Sequence, residues 1–153
     1  MPNILPIITY PSNILRQKSS EIEVKSINTK EMQKLIRDMK ITMIKKDGVG
    51  LAAPQVGKNI RMIIINLPDE PLCLINPVVT KKSWAKETAE EGCLSLPGIF
   101  DQVSRHKKVC CHYISEWNEK KLIEAEDLMA RVLQHEIDHL DGILFIDRVK
   151  TKK

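Results

Sequence analysis

The chain has 153 residues, 42% of them hydrophobic and 29% charged, with a formal net charge of +4; that is ordinary for a globular chain, long enough for a real core and short for more than one domain. Aromatic residues make up only 4%, so base stacking is poorly supported. The basic excess is spread along the chain apart from a Lys150-Thr151-Lys152-Lys153 tail, read as a solvated end, and no apolar run approaches a membrane span.

The N-terminus Met1-Pro2-Asn3-Ile4-Leu5-Pro6 lacks a charged segment followed by a long apolar one, so no signal peptide is expected. Cys73, Cys93, Cys110 and Cys111 are then expected as reduced thiols in a cytoplasmic compartment, an organelle being the alternative. Adjacent Cys110 and Cys111 would point to opposite faces of a strand, which argues against a disulfide between them.

Ile7-Ile8-Thr9-Tyr10 is read as a short strand before a Pro11-Ser12-Asn13 turn. Asn28 and Glu31 suggest a capping box opening a helix. Met32, Leu35, Ile36, Met39, Met43 and Ile44 recur at three- and four-residue spacing, which makes one apolar stripe suited to core packing. Lys45 and Lys46 suit the negative end of the helix dipole, and Gly48 is placed to end it.

Gly48-Val49-Gly50-Leu51-Ala52-Ala53-Pro54-Gln55-Val56-Gly57 has almost no bulk. It is not a phosphate loop, because the required lysine and hydroxyl spacing is absent. The pattern leaves two readings open: a helix-to-strand turn, or a cleft wall with Gln55 presenting its amide. Residues 61–66 read as a buried strand. Residues 72–76 and 78–80 read as another, interrupted at Pro77, with Cys73 as core filler.

Residues 81–90 are polar. Glu91-Gly92-Cys93-Leu94-Ser95-Leu96-Pro97-Gly98 follows, with turn residues on both sides of Cys93. Residues 107–115 and 121–125 read as a hairpin around a Trp117-Asn118-Glu119-Lys120 turn, with His106 and His112 as surface or strand-face residues.

The last helix carries Gln134-His135-Glu136-Ile137-Asp138-His139. Histidines four apart lie about 40° apart around a helix, so both can address one metal ion, while Glu136 flanks it without ligating. Leu128 and Val132 share their face, so the histidines should be buried and need a partner or a metal. Cys93 is the leading third ligand: a thiolate and two imidazoles leave one position open for water. Asp141-Gly142 ends the helix, and residues 143–149 pack a last apolar segment.

Three stretches together resemble peptide deformylase: Gly48-Val49-Gly50-Leu51-Ala52-Ala53-Pro54-Gln55, then Glu91-Gly92-Cys93-Leu94-Ser95, then Gln134-His135-Glu136-Ile137-Asp138-His139. The resemblance implies an α+β fold over residues 1–153 as one domain, with antiparallel or mixed β-sheets packed around the motif helix and an N-terminal amphipathic helix. It implies that Cys93, His135 and His139 hold a divalent metal, preferentially Fe²⁺, with Zn²⁺, Ni²⁺ or Co²⁺ able to substitute. The implied reaction removes the formyl group from the N-terminal methionine of new polypeptides, by attack of a metal-activated water. Glu136 would be the general base and acid. The Gln55 amide and the Leu94 N–H would stabilise the oxyanion.

Val49, Gly50, Leu128 and Val132 would line the substrate site. Glu91 and Arg105 would form an ion pair bracing the Cys93 segment; the alternative is two surface charges. The implied partners are N-formylmethionyl nascent peptides and, transiently, the ribosome, with no direct nucleic-acid or membrane binding. Two departures stand out. Arg131 occupies a rim position that is aliphatic in some members, which would alter substrate or inhibitor preference. The C-terminal helix that many members carry after the stretch matching Asp147-Arg148-Val149 is not seen, so its ribosome-docking role is not carried over.

Two rival readings make other demands on the sequence. A zinc protease would need a further His or Glu ligand after His139, and none follows. A non-enzymatic metal-stabilised module would need neither Glu136 nor Gln55.

Overall fold

The computed structural model describes residues 2–149. Its regular elements are α1 (Lys30–Lys45), β1 (Gly50–Ala52), β2 (Met62–Asn66), β3 (Pro71–Lys82), β4 (Lys86–Cys93), β5 (Leu96–His106), β6 (Lys108–Ile114), β7 (Lys120–Glu126) and α2 (Asp127–Leu140). Short 3₁₀ turns lie at Asn13–Arg16, Val24–Ser26, Ala53–Val56 and Phe145–Arg148. Five strands form a sheet in the order β1-β2-β3-β6-β7, and β4 pairs with β5 in a second. Every pairing between these strands is antiparallel. The expected α+β architecture is borne out, with the motif helix packed inside it.

The layering follows from β2. Met62 and Ile64 join a cluster with Ile36, Met39 and Met43 of α1, while Ile63 and Ile65 join another with Ala130, Leu133 and Leu140 of α2. The two helices therefore cover opposite faces of the large sheet. A strand covered on both faces reads as a continuous apolar run, which is the pattern of Met62-Ile63-Ile64-Ile65. Burying each such side chain is worth about 1.5–3 kcal/mol, so α2 is held against the sheet along its length. A third cluster, Leu15, Leu96, Val103, Leu144 and Phe145, ties β5 to the last 3₁₀ turn.

Several local expectations are corrected. Residues 7–10 form no strand; Ile8 N–H donates to the Gln55 carbonyl and Tyr10 N–H to that of Ser95. The α1 cap is Thr29, whose hydroxyl accepts from the Met32 N–H at 3.2 Å, so Asn28 and Glu31 do not form the capping box. Asp47, at φ 57°, takes the left-handed position after α1 in place of Gly48. β3 runs through Pro77, with a shift of register between Ile75 and Val78. Asn76 sits there at φ 50°, and its side chain pairs with both backbone groups of Ile22.

The largest miss is the β4–β5 hairpin, where the sequence showed only a polar stretch over 81–90 and turn residues on both sides of Cys93. In β4 only Glu91 is buried, so no apolar alternation marks the strand. The hairpin at residues 107–125 is present as β6 and β7. All four cysteines are free, with Cys73 and Cys111 buried. His112 is exposed on β6, and His106 Nδ1 lies 2.7 Å from the Ser83 carbonyl. The lysine-rich tail lies outside the described residues.

Candidate active site

α2 buries a group of polar side chains in its second half. His135 and His139 are 8% and 1% exposed, and Glu136 is 3% exposed. Cys93 ends β4, and the tight Leu94-Ser95 turn pairs it with Leu96 at the start of β5. That turn points Cys93 at the helix. The Cys93 sulfur and one nitrogen from each of His135 and His139 all lie within 4.8 Å of one another. Cys93 Sγ and His139 Nε2 are 3.3 Å apart. His135 uses Nδ1 against Glu91 Oε1 at 2.8 Å, which leaves its Nε2 for the shared centre. One thiol and two imidazoles converging this tightly form a donor set for a divalent transition metal.

The surrounding charges are ordered in the same way. Burial alone would raise the Glu91 pKa, but hydrogen bonds from Arg105 and His135 hold it well below the usual carboxylate range. Arg105 grips Glu91 through Nε and Nη2, each at 2.9 Å. Burial pushes Glu136 up to about 7. Among the described residues its Oε1 has no hydrogen-bond partner, and its Oε2 is 4.0 Å from His135 Nε2. For His135, the lowering by burial is outweighed by the charge of Glu136 and by hydrogen bonds to Cys93 and Glu91, and the imidazole is raised to about 10. Burial, with His135 beside it, drives His139 well below its ordinary value, and its Nδ1 has no partner among the described residues. A neutral buried imidazole beside a thiol is suited to ligation rather than to carrying charge.

These groups open onto a cleft of about 480 Å³. Gly48, Val49 and Gly50 form one wall, Leu128 and Val132 of α2 another, and Cys93, Leu94, His135 and Glu136 line it as well. Val49 and Leu128 are exposed, at 57% and 67%. Gly50 is there because nothing larger fits: a Cβ would fall 2.6 Å from Glu136 Oε2 and 2.8 Å from its Cγ. The Gln55 amide has one orientation consistent with its neighbours. Its Oε1 accepts from the Ala52 N–H at 2.9 Å, so the NH₂ faces Ser95 Oγ at 3.1 Å and Cys93 Sγ at 3.4 Å. The glycine-rich stretch joins α1 to β1 and also forms a wall of the cleft, so its two readings are both met.

A sequence model described as polypeptide deformylase matches residues 4–153. The chain belongs to that family. A peptide deformylase of Desulfitobacterium hafniense is 46% identical over 147 residues, covering 96% of this chain and 95% of that protein. One from Helicobacter pylori strain P12 is 46% identical over 160 residues, covering 98% and 88%. Among solved structures, the peptide deformylase of Thermotoga maritima superposes with a TM-score of 0.91 at 37% identity, covering 97% of this chain and 99% of that one. The peptide deformylase of Synechococcus elongatus in complex with actinonin gives 0.90 at 40% identity, covering 97% and 80%.

Within this deformylase fold, some site residues escaped the sequence. Asp138, inside the motif, is 9% exposed and accepts from Arg105 Nη1 at 2.6 Å and from Arg148 Nη2 at 2.9 Å. Its place three residues after His135 on the helix was the available signal. Ser95, the last residue of the Glu91–Ser95 stretch, receives the Gln55 amide; Phe145, which had no sequence signal beyond its apolar segment, stacks near His135 at 6.0 Å between ring centres. Glu91 and Arg105 are buried and paired, so the reading of two surface charges is overturned. Arg131 lines the cleft as expected, but its guanidinium binds the hairpin at Glu91, Val103 and Glu87.

Proposed function

We propose that this chain hydrolyses the formyl amide on the N-terminal methionine of newly made polypeptides, releasing formate and a free amine. The carrying observation is the convergence of Cys93, His135 and His139 within 4.8 Å, with buried, unpartnered Glu136 beside them. Fe²⁺ is the proposed ion, with Zn²⁺, Ni²⁺ or Co²⁺ as substitutes. When bound, a divalent metal lowers the pKa of water toward neutrality and polarises the formyl oxygen.

The protein residues do the rest. Glu136, raised to about 7, is poised to take a proton from water at its carboxylate and return it to the leaving nitrogen near neutral pH. Gln55 Nε2 and the Leu94 N–H donate to the developing oxyanion; removing one such donor typically costs about 2.7–4 kcal/mol. The β1 edge at Gly50 pairs with an extended substrate backbone, and the methionine side chain rests among Val49, Leu128 and Val132. Glu91, held by Arg105, keeps His135 in the tautomer with Nε2 free.

One catalytic domain acting in the cytoplasm on nascent peptides, in transient contact with the ribosome, fits this reading. No helix among the described residues is long and apolar enough to cross a membrane. Actinonin, bound in the Synechococcus structure, should inhibit here too. The test is formate release from formyl-Met-Ala-Ser by Fe²⁺- or Ni²⁺-loaded protein under anaerobic conditions. Glu136→Ala should abolish release while retaining metal. Full activity in that variant would sink the assigned role, and metal binding without formate release in the wild type would favour the non-enzymatic module.

A further inference from the structure

We infer that Arg131 is a positioning residue for the metal site, clamping the hairpin that carries Cys93 onto the helix that carries His135 and His139. The inference rests on the reading of those three residues as metal ligands. Arg131 Nη1 donates to Glu91 Oε2 at 2.6 Å and to the Val103 carbonyl at 2.9 Å, and Nη2 donates to the Glu87 carbonyl at 2.6 Å. One side chain from α2 thus reaches the backbone of β4, the backbone of β5 and a buried carboxylate. Its side chain is 11% exposed. A planar guanidinium can satisfy three acceptors at once, whereas an ammonium on a flexible stem cannot hold them in that geometry.

The spacing on α2 makes this contact part of a set. Arg131, His135 and Asp138 lie at i, i+4 and i+7, on one face of the helix. All three meet the hairpin: Arg131 at Glu91, His135 at Glu91, and Asp138 at Arg105. Glu91 stands at the middle of that stripe. Its Oε1 accepts from His135 Nδ1 and Arg105 Nη2, and its Oε2 accepts from Arg105 Nε and Arg131 Nη1. The carboxylate that orients His135 is therefore itself oriented from two sides, by Arg105 from the hairpin and by Arg131 from the helix. Cys93 lies two residues beyond Glu91 on the same strand, so the clamp fixes the distance between thiol and imidazoles. The guanidinium faces Glu91 and two carbonyls, so its polar atoms are spent on the hairpin even though the residue lines the cleft.

The test compares wild type with Arg131→Met, Arg131→Gln and Arg131→Lys, each loaded with Co²⁺. Metal release into excess chelator should accelerate by about 10–100-fold in Arg131→Met. Its Co²⁺ absorption spectrum should change as the thiolate and imidazoles shift, and kcat should fall with little change in KM. Arg131→Lys should recover only part of the slow release. If Arg131→Met does not fold, Arg131→Gln, which keeps amide donors for the carbonyls, carries the same expectation with a smaller acceleration. In a Glu91→Gln background the effect of Arg131→Met should shrink, because the two act together. A folded Arg131→Met protein with wild-type release rate and spectrum would overturn the inference, as would full additivity with Glu91→Gln. A wild type that binds no Co²⁺ would instead remove the three-ligand reading, and the inference with it.

Discussion

Gly50→Ala is the sharpest single probe of the cleft. The added Cβ would sit 2.6 Å from Glu136 Oε2, 2.8 Å from Cγ and 2.9 Å from Cδ. Comfortable carbon–carbon contacts lie near 3.5–4.0 Å, so Glu136 or β1 must move by roughly 0.6–1 Å. β1 is registered against β2 from Gly50↔Ile65 to Ala52↔Ile63, so Glu136, a side chain at the cleft with no partner at Oε1 among the described residues, is the group that is displaced. A misplacement of about 1 Å in a catalytic group costs on the order of 100-fold in rate, or about 2.7 kcal/mol of barrier. The crowding itself should cost about 1–3 kcal/mol of stability. The assay is formate release at saturating substrate, with metal content and chemical denaturation measured on the same preparation. Metal should be retained, because Cys93, His135 and His139 are not the atoms struck. Combining Gly50→Ala with Glu136→Ala removes the colliding atoms, so the stability cost should largely vanish in the double variant. A Gly50→Ala enzyme with near-wild-type kcat would refute the reasoning. So would a stability cost that persists undiminished beside Glu136→Ala.

Three further outcomes follow from the same geometry. His135, raised to about 10 in the metal-free protein, carries a proton at pH 7 that a metal must displace; calorimetry of metal binding in buffers of different ionisation enthalpy should register proton release, and metal affinity should weaken as pH falls. Glu136 rises from 4.5 to about 7 on burial, so the folded state binds its proton more tightly. Its contribution to metal-free stability is complete below pH 4.5 and lost as pH rises through 7. The stability difference between Glu136→Gln and wild type should therefore grow across that range, toward about 3 kcal/mol, and a pH-independent difference would count against it. At Gly142, φ is +73° and a Cβ would lie 2.5 Å from the Arg16 carbonyl oxygen; Gly142→Ala should cost about 2–4 kcal/mol from left-handed strain and overpacking, read as a fall in melting temperature.

What the sequence disclosed depended on where each group draws its partners. The two helices were legible because their apolar stripes report burial along one element. The metal-ligand candidates were legible because helical spacing fixes His135 against His139, and Cys93, set among turn residues, was the leading third ligand. The β4–β5 hairpin was not, because it buries polar residues: Glu91 and Arg105 are 7% and 4% exposed, and no hydrophobicity scale marks a strand by a buried ion pair. Charges almost never lie this deep unless paired, so the pairing is the information, and it joins residues far apart in the chain. Glu91 meets His135 across 44 positions and Arg131 across 40. A motif read in one dimension can name the atoms that face the metal. The groups that hold those atoms still sit on a different strand, and their partnership exists only once β4 and β5 have folded against α2.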